Sequence, residues 1–142
     1  MTAEVTEYAP GDEELRAILR DARTIAVVGL SSNPERHSYN VADYLKQVGY
    51  RIIPVNPNET EVLGERAYAS LPDVPERIDV VDVFRRAEFT PEVARQAVQV
   101  GAKILWLQLG ITNEEARRIA DEAGLSVIMD ACLMIEHDRL QP

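Results

Sequence analysis

The sequence predicts a three-layer α/β sandwich on a mostly parallel sheet of about five to six strands. Three observations carry this. First, one syntax recurs three times, an amphipathic helix, a glycine stop and a short apolar strand: Gly49 precedes RIIPV, Gly101 precedes KILWL and Gly124 precedes SVIM. Second, the strands are continuously apolar rather than alternating, as expected where both faces of a sheet are covered. Third, strands and helices alternate, which requires right-handed crossovers between parallel neighbours. Together these are the marks of a Rossmann-type architecture.

The 142 residues suit one domain with a real core. Residues 1–11 are expected to form a flexible tail and residues 12–142 the domain. In the first predicted helix, Leu15, Ile18, Leu19 and Ala22 share one face, with Asp12 as its N-cap. Thr24 to Val28 is the first strand. After the turn GLSSNPER, Val41, Tyr44, Leu45 and Val48 mark the next helical face, with Ser38 as its cap and Gly49 as its stop.

Arg51 to Val55 follows as the second strand. Pro54 cannot donate to a ladder, so it belongs near the strand's end. Asn56 to Gly64 reads as a solvent-facing turn, Arg66 to Tyr68 as a short edge strand and Leu71 to Pro75 as a loop. Ile78 to Phe84 is the third apolar strand. Thr90-Pro91-Glu92 opens a helix whose buried face is Val93, Ala94, Ala97 and Val98. Lys103 to Leu109 is the next strand, Thr112 and Glu115 are spaced as a capping box, and Ala116, Ile119, Ala120 and Ala123 line the helix that follows. Ser126 to Met129 is the last strand, and CLMIEHDRL is the tail.

Composition narrows the function. The net charge of −9 argues against a nucleic-acid surface, which needs clustered Lys and Arg. No apolar run approaches the roughly 20 residues that span a bilayer, and Met1 to Pro10 lacks a leader pattern, so no membrane association and a cytoplasmic location are expected. One cysteine and two distant histidines make a poor metal site.

Ligands of such sheets bind beyond the carboxyl ends of the strands. That places Gly29 to His37, Val55 to Asn58, Phe84 to Arg86, Gln108 to Ile111 and Asp130 to Cys132 around one crevice. A dinucleotide fingerprint requires GxGxxG and an acid after the second strand. At the matching turn, GLSSNP, this chain supplies only Gly29, and it carries Asn56 where the acid would stand. Standard NAD binding is therefore disfavoured. The loop Ser31-Ser32-Asn33, with Arg36 and the arginines Arg85 and Arg86, suits a ligand richer in phosphate. Ser and Asn are also ordinary turn formers, and one of two adjacent arginines is expected to face solvent.

The segments IAVVGLSSNPER, GYRIIPVNPN, LGERAYASL, IDVVDVFRR and LWLQLGI, followed by CLMIEHDRL, resemble the small stand-alone CoA-binding proteins. These are related to the nucleotide-binding domain of the succinyl-CoA synthetase α subunit. The resemblance covers nearly the whole chain from about Asp12 onward. It implies coenzyme A as the ligand, free or as acyl-CoA, with Gly29, Ser31 and Arg36 near the phosphates. It also implies Val55, Asn56 and Pro57 near the adenosine end, with Phe84, Arg85 and Gln108 lining the crevice. Crevice position adds Leu30, Ser32, Asn33 and Gly110 to this set. Family members commonly carry an arginine before the cysteine, and here Asp130-Ala131-Cys132 has none.

No catalytic residue is assigned. Cys132 reads as a small buried hydrophobe, with a redox-responsive thiol as the alternative. His37 reads as phosphate-contacting or exposed, His137 as surface or tail packing, and Trp106 as core. Asp82 reads as a carboxylate accepting backbone N–H bonds from a neighbouring loop. The expected role is a carrier, sensor or partner subunit, with an NAD(P)-binding oxidoreductase-like protein as the alternative. A second copy of the chain and a partner enzyme subunit both stay open as partners.

Overall fold

A computed structural model describes residues 10–142; of the expected tail, residues 1–9 lie outside the described residues. The elements, in chain order, are α1 (Asp12–Asp21), β1 (Thr24–Val28), α2 (His37–Gln47), β2 (Arg51–Val55), β3 (Glu61–Val62) and β4 (Glu65–Arg66). They continue with β5 (Val80–Val83), α3 (Thr90–Gln99), β6 (Ile104–Leu107), α4 (Glu114–Glu122), β7 (Ser126–Ile128) and α5 (Leu133–Leu140). Short 3-10 turns cover Leu71–Asp73 and Ala87–Phe89.

Five strands form one parallel sheet in the order β2-β1-β5-β6-β7, while β3 and β4 form a small antiparallel hairpin. This is a Rossmann-like sheet, and the expected α/β sandwich is the observed one. Strand alternation sends side chains to two cores. Ile25 and Val27 meet α1, α2 and α5 through Leu19, Leu45 and Leu133, whereas Ala26 and Val28 meet α3 and α4 through Ala97 and Ala120. Trp106 is fully buried on the first face, and its Nε1–H donates to the Ala131 carbonyl at 2.8 Å.

Pro54 is tolerated because β2 is an edge of the sheet and pairs with β1 alone among its strands. The free side of β2 is covered where Tyr68 N–H donates to the Pro54 carbonyl at 3.0 Å and Val55 bridges to Tyr68. No helix among the described residues is long and apolar enough to cross a membrane.

The predicted caps shift by a residue or two. The N-caps observed are Gly11, Arg36, Phe89 and Asn113 rather than Asp12, Ser38, Thr90 and Thr112. Asn113 wins over Thr112 because its side chain accepts the Ala116 N–H at 2.8 Å. Thr90 instead donates its hydroxyl to the Ala87 carbonyl at 2.7 Å. The Asn56 to Gly64 segment is not wholly solvent-facing, since it holds β3 and buries Val62 in the first core. The terminal CLMIEHDRL is not an irregular tail: Leu133 and Leu140, seven residues apart, bury one stripe of α5.

Candidate functional site

The site forms where the sheet order turns, because the connections leave β1 and β5 toward opposite faces and part the chain between them. Gly29 lies at that point. Its φ is +90°, and a Cβ there would press into the Phe84 carbonyl oxygen. Only glycine combines that backbone angle with so close an approach. Its N–H donates to the Val55 carbonyl and the Phe84 N–H donates to the Val28 carbonyl, both at 2.8 Å. The ends of β2, β1 and β5 are thereby locked side by side.

From Gly29 the loop runs to α2. Ser31 N–H donates to Ser38 Oγ at 3.1 Å, Asn33 N–H to Ser31 Oγ at 3.0 Å and Glu35 N–H to Asn33 Oδ1 at 3.0 Å. Ser38 is therefore not the helix cap; buried in the first turn, it braces the loop from below. Asn56 joins this loop to the one after β2. Its Nδ2 donates to the Leu30 carbonyl at 3.0 Å, while its Oδ1 accepts the Asn58 N–H at 2.9 Å.

Two adjoining chambers open above these strand ends, with volumes of about 750 and 420 Å³. Both fall in the range of small-molecule sites. Gly29, Asn56, Asn58, Phe84 and Arg85 border both. The larger is ringed by Arg36, Arg85 and Arg86, none of which forms an ion pair among the described residues. The Arg85 guanidinium lies 4.8 Å above the ring of Phe89, which lines the smaller chamber. His37 is the first residue of α2 and exposed, with Nε2 3.6 Å from Cys132 Sγ and its ring edge-on to Phe84 at 6.1 Å. Cys132 itself is buried as the N-cap residue of α5.

Of the predicted set, Gly29, Ser31, Arg36, Val55, Asn56, Pro57, Phe84, Arg85 and Gly110 line one chamber or both. Four do not. Leu30 is fully buried in the first core, and Asn33 is turned back on its own loop. Ser32 bonds Glu59 through its N–H and its hydroxyl. Gln108, expected on the crevice wall, is buried and donates Nε2–H to Asp82 Oδ1 at 2.7 Å. Asp82 therefore does not accept backbone N–H bonds; Asp79 does, from Arg23 at 2.8 Å and Thr24 at 3.1 Å. Burial pushes the Asp82 carboxyl up to about 7, with the Gln108 bond opposing.

Sequence reasoning missed Glu59, Ser70, Phe89 and Gln96 as wall residues. For Glu59 a signal existed, since the Asn-Pro-Asn turn fixes where the next side chain goes. Phe89 and Gln96 reach the crevice only through the docking of α3, which no local pattern encodes.

Comparison with known proteins adds four findings. Residues 23–138 match the family model described as a CoA binding domain. The chain is 44% identical over 128 residues to "Uncharacterized protein YneT" of Bacillus subtilis, covering 90% of this chain and 95% of that protein. It is 32% identical over 124 residues to "Acetate--CoA ligase [ADP-forming] II subunit alpha" of Pyrococcus furiosus, covering 80% of this chain but 27% of that subunit. Among solved structures, a hypothetical protein from Pyrococcus horikoshii superposes with a TM-score of 0.90 at 45% identity, covering 93% of each chain.

Proposed function

The chain belongs to the CoA binding domain family, and from that premise we propose that it binds coenzyme A or an acyl-CoA across the two chambers above β1, β2 and β5. One observation carries the placement: three arginines without ion pairs among the described residues ring the larger chamber of a chain whose net charge is −9. Such a chain attracts an anionic ligand only through a local positive field. Coenzyme A has the matching chemistry, with a diphosphate and a ribose phosphate on one nucleotide.

In this reading the phosphates meet Ser31, Arg36 and the start of α2, where the helix dipole also favours an anion. The adenosine end lies toward Val55 and Pro57, and Phe84 and Arg85 divide the two chambers. The role is that of a carrier, a sensor or a partner subunit, with any acyl chemistry supplied by another chain. The likeness to a ligase subunit of which the chain spans about a quarter supports the partner form of that role. The test is amide NMR with added CoA. Shifts clustered at Gly29, Ser31, Arg36, Asn56 and Arg85 are expected, and shifts confined to the face of α1 and α5 would refute the placement.

A further inference from the structure

From Ser31 to Arg36 the amides of the β1–α2 loop are nearly all satisfied from within the loop and its helix. Ser31, Asn33 and Glu35 donate to side chains of the loop and its helix, and Arg36 donates to the Asn33 carbonyl at 3.0 Å. Ser32 is the exception. Its N–H and its hydroxyl both donate to one oxygen, Glu59 Oε2, each at 3.0 Å. Glu59 arrives from the loop after β2, borders the larger chamber and forms no ion pair among the described residues. A carboxylate oxygen thus fills a two-donor pocket at the rim of a crevice ringed by arginines. Two converging donors on one anionic oxygen are also how a phosphate oxygen is held.

We infer that Glu59 is the crevice's resident anion, seated on Ser32 until a ligand phosphate displaces it. The inference rests on the phosphorylated-ligand reading above. Asn56 makes the exchange feasible without opening the site. It ties the two loops through Leu30 and Asn58, so the Glu59 side chain can leave while the backbones stay in place. The exchange also sets selectivity. A ligand carrying a diphosphate displaces the carboxylate, whereas a monoanion of carboxylate strength gains nothing by doing so.

The test uses Glu59→Gln and Glu59→Ala in the full chain, with thermal melts to verify folding. Gln keeps an oxygen for Ser32 and loses the charge; Ala loses both. Inorganic pyrophosphate is titrated while the Ser32 amide is followed by NMR, and CoA is titrated by calorimetry. In both variants the Ser32 shift is expected at about tenfold lower pyrophosphate than in the parent, with CoA tighter by a similar factor. Equal midpoints in all three proteins, weaker binding in either variant, or a Ser32 amide that never responds would overturn the inference. Equal pyrophosphate midpoints with CoA bound alike by all three would sink the Glu59 inference alone. Shifted pyrophosphate midpoints without CoA binding in any protein would uphold it and sink the CoA reading.

Discussion

Asp82 and Gln108 share one hydrogen bond, Nε2–H to Oδ1 at 2.7 Å, while the remaining oxygen of each, Oδ2 and Oε1, is buried without a partner among the described residues. One proton on Asp82 would serve both, because a carboxylic acid and a primary amide can bond twice. The unfolded carboxyl titrates near 3.8 and the folded one near 7. Between those values the folded protein holds a proton that the unfolded chain has lost, so stability falls as pH rises from about 4 to about 7. Below that window both forms are protonated, and above it neither is. Asp82→Asn supplies a permanent donor and is expected to flatten this part of the stability curve, giving a protein more stable than the parent above pH 7 and equal to it at acid pH. Denaturant melts of both proteins across the window decide. Taking their difference cancels the other titrations, including that of His137, which burial pushes down.

Gly29→Ala places a Cβ against the Phe84 carbonyl at a φ of +90°. The strain is expected to cost about 1–3 kcal/mol of stability. Ligand binding should fall as well, because relief requires β1 and β5 to part at the crevice floor. An Ala variant with parental melting temperature and parental affinity would contradict the close packing described.

Arg36 has no ion pair among the described residues to compensate for its removal. Arg36→Ala is expected to weaken CoA binding by about 1–3 kcal/mol, the scale of a hydrogen bond to a charged group. Stability should hardly change. Calorimetry at two salt concentrations checks the charge origin, since the parent's affinity should fall with salt more steeply than the variant's.

Asn56→Asp keeps the oxygen that accepts the Asn58 N–H but removes the donor to the Leu30 carbonyl and adds a negative charge at the crevice. CoA affinity is expected to drop by about tenfold or more. The same change recreates the acid that a dinucleotide site requires after its second strand. An Asp variant that binds CoA as well as the parent would show that Asn56 neither holds the loops nor borders the ligand.

Much of this was legible in the sequence, and the boundary has physical causes. Thr24–Val28 and Arg51–Val55 were readable to the residue, because each is a β-branched run bounded by turn chemistry. The cap assignments failed where two polar residues adjoin, since only the three-dimensional path selects Asn113 over Thr112. The C-terminal helix was hidden because eight residues give one buried repeat, Leu133 and Leu140, too few to show a period. At the site, the loops were readable because strand ends announce them, and nine of the thirteen predicted residues line the chambers. Gln108 was misplaced because its partner, Asp82, lies on another strand. Side-chain direction just past a strand end is set by such partners.

The central claim is that the crevice takes coenzyme A. Calorimetry of the full chain against CoA, dephospho-CoA, NAD and NADP tests it most directly. CoA is expected to bind with micromolar or tighter affinity, dephospho-CoA more weakly because it lacks the ribose phosphate, and NAD and NADP more weakly still. Micromolar NAD binding with none for CoA would contradict the account.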